Sequence, residues 1–140
     1  NQSDTQTAAE VFEDILCAHF DSLDVRFRRQ EDLLREQKES EGRAVVTPDL
    51  LFLDDVRING VPCAWIDEKH FYGADLRFPR KKTQKQVDRY VKEYGQGAIV
   101  YRHGFTGSLV QRGAILLDAS PLDLTPLNEF HEKRSGGSHS

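Results

Sequence analysis

One stretch decides the fold of this chain: TPDLLFLDDVRINGVPCAWIDEKHF, residues 47–71. It contains two apolar runs on either side of Asn59-Gly60, which is the strongest short-range signal for a β-hairpin. Strands that become buried usually avoid charged residues, because a buried carboxylate or ammonium group without a partner is very costly. The first run nevertheless begins at Asp49, and the second ends with Asp67, Glu68 and Lys69. These charges need either a structural or a chemical explanation.

The composition is that of an ordinary soluble globular protein. The 140 residues are 38% hydrophobic and 30% charged, which suits one domain with a substantial core better than two. We therefore expect a single domain over residues 1–134, followed by a Gly/Ser/His tail, residues 135–140, that is flexible or a remnant of an expression vector. The net charge of −4 argues against a general nucleic-acid coat protein, which would normally be basic.

The sequence also indicates a compartment. No apolar run approaches the length of a membrane span, and the acidic N-terminus lacks the charge and the apolar core of a signal peptide. Cys17 and Cys63 lie far apart in unrelated contexts, so two reduced, buried thiols are expected rather than a disulfide or a metal pair. We expect an intracellular protein, nuclear or cytoplasmic, with no membrane partner.

Apolar periodicity and capping signals predict a mixed α/β domain in which helices cover one central sheet. Two capping boxes, Thr7 with Glu10 and Thr83 with Gln86, predict helix starts. Residues 71–82, which include a glycine and a proline, are predicted to be irregular. The other predicted elements are strands at 25–28, 98–101 and 114–117, a helix at 30–38 and a terminal helix from residue 125.

The register of the hairpin decides whether its charges meet. If Asn59-Gly60 alone forms a two-residue loop, Asp49 lies opposite His70, and Asp49 and Asp67 face opposite sides of the sheet. If the preceding isoleucine joins a three-residue loop with the glycine in a bulge, Asp49 lies opposite Lys69 and shares one face with Asp67. A bulge elsewhere in the hairpin would have the same effect. The residues leave these registers open.

The converging register would make a site with a clear chemical use. Two acids at one point repel each other unless a divalent cation lies between them, and oxygen ligands suit Mg²⁺ or Mn²⁺. A cation held by Asp49 and Asp67 can activate a water and stabilise charge on a phosphate. Lys69 points to the same side, where it can position or deprotonate that water. The alternative is a structural salt bridge between Asp49 and Lys69, because the D…DxK pattern is short and common.

Three further features could complete such a site. Glu13 lies at the edge of the apolar face of the first helix and could lean over the sheet, although it fits an exposed helix edge equally well. Gln86 either caps a helix or meets a phosphate or the attacking water near a helix N-terminus. A basic cluster is either a solvated loop or a phosphate contact, and it comprises Arg80, Lys81, Lys82 and Lys85. No phosphate-binding glycine motif, zinc-like His/Cys spacing or nucleophile elbow competes with this interpretation.

The motifs TPDLLF, INGVPCAWIDEKHFYG, YGQGAIVYRHGF and RGAILLD resemble those of the TPD-motif proteins. That family is similar to archaeal Holliday-junction resolvases and to the PD-(D/E)xK, or restriction-endonuclease-like, superfamily. The resemblance covers roughly residues 8–118 and implies a restriction-endonuclease-like central mixed β-sheet flanked by helices. It assigns roles to the residues that match its motif: Asp49 and Asp67 as the acids, Lys69 as the lysine, Glu13 as the helix glutamate and Gln86 as the helix glutamine.

The resemblance implies a metal-dependent nuclease that cleaves DNA, structured, branched or single-stranded, and the sequence itself does not distinguish DNA from RNA as the substrate. Asp49, Asp67, Glu13 and the backbone carbonyl of Glu68 would hold Mg²⁺ or Mn²⁺, Lys69 would orient or activate the water, and the basic cluster would bind the phosphate backbone. Resolvase-like enzymes commonly work as homodimers, which is a further expectation. A codanin partner, which belongs to an animal member, is not carried over. The alternative function is a non-catalytic nucleic-acid- or protein-binding module that retains the nuclease fold.

Overall fold

A computed structural model describes the backbone of residues 2–137 and the side chains of residues 7–133. Its elements are α1 (Gln2–Ser22), β1 (Phe27–Arg29), α2 (Gln30–Glu41), β2 (Leu50–Ile58), β3 (Val61–Lys69), α3 (Arg77–Tyr94), β4 (Gly97–Tyr101), β5 (Ala114–Asp118) and α4 (Thr125–Gly137). Two compact units are present: a central unit, Val25–Ala119, and a terminal unit formed by the segments before and after it. The expectation of one domain over residues 1–134 stays a prediction, and the predicted tail lies partly in α4 and partly outside the described residues.

The terminal unit pairs the helices α1 and α4. The apolar stripe predicted for the first helix is buried, with Phe12, Leu16 and Phe20 as its largest members. Because α1 begins at Gln2, the predicted helix start at Thr7 is wrong, and Thr7 lies inside the helix. In the described part of the chain, no helix is long and apolar enough to cross a membrane.

The central unit is built on a five-stranded mixed sheet with the strand order β1-β2-β3-β4-β5. β1, β2 and β3 are antiparallel neighbours, whereas β3, β4 and β5 run parallel to one another. Parallel neighbours need a long crossover, and α3 supplies the one between β3 and β4. The predicted α/β class with a mixed sheet is therefore confirmed. The predicted starts of α2 and α4, at Gln30 and Thr125, are also confirmed.

A core of large side chains joins α3 to one face of the sheet. It includes Trp65 of β3, Val87 and Tyr90 of α3, and Ile99 and Tyr101 of β4. Because side chains alternate along a strand, the face of β3 that carries Trp65 also carries the two charged residues at alternate positions beyond it. This face of β3 therefore ends with Asp67 and Lys69.

The segment Gly95–Gly97 fixes the position of Trp65. A Cβ atom at Gly97 would lie 2.2 Å from the indole ring, so any side chain there would displace the ring. The indole N–H of Trp65 donates to the Gly95 carbonyl at 2.8 Å, immediately after α3 ends. Cys63, on the same strand, is a buried free thiol, as is Cys17 in α1, and both were predicted. These contacts hold the strand that carries the charged residues.

The segment predicted to be irregular, 71–82, is irregular as far as residue 76. Helix α3 begins at Arg77, so the prediction is wrong for residues 77–82, and the predicted helix start at Thr83 is also wrong. Pro79 lies in the first helical turn, where its missing N–H would have had no intrahelical partner. Thr83 is buried within the helix, and its side chain hydrogen-bonds that of Tyr101 instead of capping. The basic cluster consequently lies on a helix rather than in a loop.

Candidate active site

The turn of the hairpin is the two-residue loop Asn59-Gly60, with Ile58 paired to Val61. Both loop residues have positive φ angles, 52° and 78°, which a type I′ turn requires. Glycine accepts this conformation freely, and asparagine accepts it more readily than most residues. The three-residue loop considered from the sequence is therefore wrong.

A bulge farther along the hairpin makes the two acids converge, in a register that pairs Leu50 with Ile66 and does not place Asp49 opposite Lys69 as predicted. β2 and β3 pair at Leu51 with Trp65 and again at Val56 with Cys63, so residues 52–55 of β2 lie opposite one residue of β3. The surplus is odd, and an odd shift moves every side chain beyond it to the other face of the sheet. The bulge considered from the sequence is thus the irregularity that the structure contains, and it turns the first acid of the hairpin toward the second.

Asp49 and Asp67 meet at the end of this hairpin. The backbone N–H of Asp49 donates to Asp67 Oδ1 at 3.3 Å. The backbone N–H of Glu68 donates to Asp49 Oδ2 at 2.7 Å. Asp67 is only 4% exposed, and Asp49 is partly buried. Two carboxylates therefore lie side by side in a site with little access to water.

Lys69 connects this acid pair to α3. Its Nζ atom lies 3.0 Å from Asp67 Oδ2 and also donates to the side-chain oxygen of Gln86. Gln86 in turn donates from Nε2 to the Tyr90 hydroxyl at 3.0 Å. The salt bridge considered from the sequence paired Lys69 with Asp49, whereas the ion pair in the structure is with Asp67. Gln86 contacts the site lysine and does not cap α3, which begins earlier.

Burial and repulsion raise the pKa of Asp49 to about 9. Desolvation is the largest cause, the charges of Asp67 and Glu68 follow, and the hydrogen bond from the Glu68 N–H opposes them. Burial first, and then the charges of Asp67 and Asp49, also raise the pKa of the Tyr90 hydroxyl. Burial and the neighbouring charges therefore favour the protonated form of Asp49.

The other predicted metal ligands are placed differently. The Glu68 side chain extends from the opposite face of β3, with Oε1 3.4 Å from His70 Nε2, so only its backbone lies beside the acid pair. Glu13 is a partly buried residue of α1, in the terminal unit. Among the side chains that the structure describes, no group of three or more His, Cys, Asp or Glu residues is arranged to hold a metal ion. The ligand roles of Glu13 and Glu68 stay predictions.

The basic cluster divides between two sides of α3. Lys82 lines a cleft that also contains the site lysine and glutamine. Arg80 pairs with Asp75 at 2.7 Å and, together with Lys81, borders a separate hollow. Lys85 is exposed on the helix. The nucleic-acid role of these four residues stays a prediction, and Lys82 is the one that borders the acid site.

Sequence reasoning missed part of these surroundings. Tyr90, a core residue of α3, accepts a hydrogen bond from Gln86 and holds it in place. Arg89 and the exposed Phe78 line the same cleft as Lys82. Pro79 was the sequence signal for these residues, because proline is favoured in the first turn of a helix. A helix that begins just before Pro79 places Phe78, Lys82 and Arg89 on one face.

The central unit is an α/β unit with two paired acids and a lysine at the end of its central hairpin. The family model described as "Protein of unknown function TPD sequence-motif" matches residues 1–120. The chain belongs to this TPD-motif family, which confirms the resemblance.

Two relatives of this chain are longer proteins. It is 28% identical over 126 residues to "Uncharacterized protein L539" of Acanthamoeba polyphaga mimivirus, which covers 87% of this chain and 44% of that protein. It is 29% identical over 84 residues to "CDAN1-interacting nuclease 1" of Danio rerio, which covers 58% of this chain and 28% of that protein. The chain thus spans less than half the length of either relative. No solved structure matches it.

Proposed function

We propose that this chain is a divalent-metal-dependent phosphodiesterase that acts as an endonuclease on structured or branched DNA. We propose further that it is of the PD-(D/E)xK type, with a restriction-endonuclease-like fold. The observation that carries the proposal is the meeting of Asp49 and Asp67 beside Lys69 at the end of the hairpin. The raised pKa of Asp49 supports it, because ionisable groups with strongly perturbed pKa values concentrate at functional sites. Further support comes from the relative in Danio rerio, whose name contains the word nuclease.

The chemistry of the donor set fits Mg²⁺ or Mn²⁺. Both cations prefer oxygen ligands, and Mg²⁺ is commonly held by one or two carboxylates together with water and substrate phosphate. Asp49 and Asp67 supply two carboxylates, and the carbonyl of Glu68 is the further proposed ligand in the central unit. The raised pKa of Asp49 indicates that the pair favours an additional positive charge. A bound cation would provide that charge and would stabilise the negative charge that develops on the scissile phosphate.

Lys69 and Gln86 would position the attacking water. Lys69 contacts Asp67 and Gln86, and an ammonium group has three N–H donors, so one donor is left for a water or a phosphate oxygen. Gln86 is anchored by the Tyr90 hydroxyl and would keep Lys69 at this point. Lys82, on the same side of α3, would bind a neighbouring phosphate without reading the base sequence.

Two substitutions separate metal binding from catalysis. Asp67→Asn removes one negative charge with little change in shape, whereas Lys69→Ala removes the ammonium group and leaves both acids. We expect Asp67→Asn to lose Mn²⁺ binding and cleavage together. We expect Lys69→Ala to retain most Mn²⁺ binding and to cleave roughly 10²–10⁴-fold more slowly, the usual contribution of a positioned acid–base group.

The measurements are calorimetric titration with Mn²⁺ and cleavage of labelled branched, flapped, single-stranded and duplex DNA. Asp55→Asn is the matched control, because Asp55 is an exposed acid of the same hairpin, and it should change neither property. A parent protein that neither binds Mn²⁺ nor cleaves any of the four substrates would rule the proposal out.

The second candidate function is a non-catalytic binding module, and the Asp67–Lys69 ion pair is the observation that favours it. The pair is nearly buried and well hydrogen-bonded, as a structural salt bridge would be. If it is structural, removing either partner leaves the other charge buried, and both substitutions should lower the melting temperature with EDTA and with Mn²⁺ alike. A parent melting temperature indifferent to Mn²⁺, together with two destabilised variants, would favour this module.

A further inference from the structure

A cleft of about 760 Å³ lies next to the acid site. Lys69 and Gln86 form part of its wall, and the segment between β3 and α3 and the first turns of α3 form the rest. We refer to it as the aromatic cleft, because three of its lining residues are the aromatic side chains Phe71, Tyr72 and Phe78. The proposed catalytic lysine thus belongs both to the acid site and to this cleft.

The three rings are unusually exposed. Phe71 is 48% exposed, Tyr72 52% and Phe78 87%, and they are the aromatic members of the exposed large hydrophobic residues in the described part of the chain. Aromatic side chains contribute most when their large surfaces are covered, so three exposed rings around one cleft indicate a ligand rather than chance exposure.

The backbone that carries the rings is anchored. Gly73 bridges to Phe105, and its N–H donates to the Gly104 carbonyl at 2.9 Å. A Cβ atom at Gly73 would lie 2.7 Å from Phe105 Cβ, so this close approach requires glycine. The Tyr72 hydroxyl lies 3.1 Å from Thr106 Oγ1. Phe71 and Tyr72 therefore sit on a fixed segment, and Phe78 sits on the first turn of α3.

Cations accompany the rings in a regular pattern. Phe78, Lys82, Lys85 and Arg89 follow the i, i+4, i+7, i+11 spacing, and at about 100° per residue they fall within a narrow stripe of α3. All four are exposed, and Lys82 and Arg89 line the cleft with Phe78. The residues that line the cleft include no acid. A stripe of this kind offers ring faces to an apolar plane and positive charges to phosphates.

We propose that the aromatic cleft binds unpaired nucleotides, with bases stacked on Phe78 and its neighbouring rings and phosphates held by Lys82 and Arg89. Aromatic platforms beside a positively charged groove bind single strands because every base has a π-face, whereas in a duplex those faces are covered by neighbouring base pairs. The cleft leads directly to Lys69, so the strand bound there would continue into the acid site. This inference rests on the proposed function and narrows its substrate: the preferred DNA carries a single-stranded segment, such as a flap, an overhang or an opened junction.

Phe78 gives the sharpest test, because an 87% exposed ring contributes little to folding. Binding is measured in EDTA, without cleavage, as fluorescence anisotropy of a labelled thymidine oligonucleotide and of a blunt duplex of equal length. We expect Phe78→Ala to weaken single-strand binding about tenfold, within the range that alanine substitution of a stacked aromatic residue gives, and to change duplex binding less than about twofold. Phe78→Trp should retain the affinity of the parent. Phe78→Leu should behave like Phe78→Ala, because leucine keeps apolar surface but has no ring.

Leu53→Ala is the control, because Leu53 is 49% exposed on β2 and does not line the cleft; it should change neither affinity. Equal effects of Phe78→Ala on single strand and duplex would overturn the inference. So would full single-strand affinity in Phe78→Leu, which would show that the contact needs apolar surface but no aromatic ring.

Cleavage of the same oligonucleotides with Mn²⁺ separates this inference from the proposed function. A parent that cleaves single-stranded and duplex DNA equally, with no effect of Phe78→Ala, would overturn the role of the cleft and leave the nuclease proposal standing. A parent that binds single strands through Phe78 but cleaves nothing would support the cleft and reject the catalytic proposal. A parent that binds no DNA would reject both.

Discussion

Replacing Asp49 with asparagine should stabilise the protein in the absence of metal. In the folded chain, burial and then the charge of Asp67 raise the pKa of Asp49 from 3.8 to about 9. Folding therefore requires a proton to be bound whenever the pH lies between these two values. Asparagine is neutral in both states and removes this requirement.

The size of this gain in the free energy of unfolding follows from the same two pKa values. At pH 7 the unfolded carboxyl group, with a pKa of 3.8, has lost its proton and the folded one has kept it, which at 1.36 kcal/mol per pH unit amounts to about 4 kcal/mol. The amide can keep both contacts, because its oxygen accepts from the Glu68 N–H and its nitrogen donates to Asp67. We expect a net gain of roughly 2–4 kcal/mol in the free energy of unfolding, or roughly 6–12 °C in melting temperature for a chain of this size.

The gain should depend on pH in a direction that the raised pKa fixes. Well below pH 4 both states of the parent carry the proton, and the substitution should change little. As the pH rises toward about 9, the unfolded Asp49 releases its proton while the folded Asp49 keeps it, so the parent loses stability relative to Asp49→Asn. Saturating Mn²⁺ should act in the opposite sense, because the parent gains stability by binding the ion and the variant does not.

Thermal melts of parent and Asp49→Asn at about pH 5, 7 and 8.5, with EDTA and with Mn²⁺, measure all three effects. Asp55→Asn serves again as the matched control, because its exposed carboxylate should give no difference between the pH values. The reasoning fails if Asp49→Asn melts at or below the parent in EDTA at pH 7. It also fails if the difference between the two proteins is independent of pH, since Asp49 would then not be the group that binds the proton.

Two further substitutions test the framework and the basic face. Gly97→Ala should lower the free energy of unfolding by roughly 3 kcal/mol and shift the fluorescence of Trp65, because a Cβ atom 2.2 Å from the indole forces the ring to move. An unchanged melting temperature and an unchanged spectrum would contradict the packing described. Replacing both Lys82 and Lys85 by alanine should weaken binding to DNA of every sequence. It should also flatten the salt dependence of binding, by roughly 0.7–0.9 in the slope of log affinity against log salt for each lysine–phosphate interaction that is removed. Lys38→Ala, an exposed substitution on α2, is the control, and an unchanged slope in the double variant would mark these lysines as solvated residues only.

Local chemistry was sufficient to predict much of the central unit. The turn at Asn59-Gly60 needs two residues with positive φ, and few dipeptides supply them as easily. Gly95, directly after α3, marks the predicted end of that helix, and its N–H donates to the Val91 carbonyl. Such features depend on residues close in sequence, and sequence patterns describe them well.

The start of α3 shows where local patterns fail. Thr83 and Gln86 have the spacing of a capping box, yet each is used by a residue distant in sequence: Thr83 by Tyr101 and Gln86 by Lys69. A capping box and two tertiary hydrogen bonds look identical in sequence, because both need a short hydroxyl and a longer polar side chain. In the structure both side chains make the tertiary hydrogen bonds, and the helix begins earlier, at Arg77.

The position of the bulge could not be predicted for a related reason, and the acid site depends on it. Residues 52–55 of β2 do not pair one for one with β3, and two of them bond to Arg26, the residue just before β1. The N–H of Leu53 donates to the Arg26 carbonyl at 2.9 Å, and the Asp54 carboxylate accepts from both the backbone and the guanidinium of Arg26. The bonds between Arg26 and Asp54 span 28 residues of sequence, and no local pattern announces them. An even surplus in β2 would turn Asp49 away from Asp67, so the odd surplus at this bulge is what brings the two acids of the hairpin together.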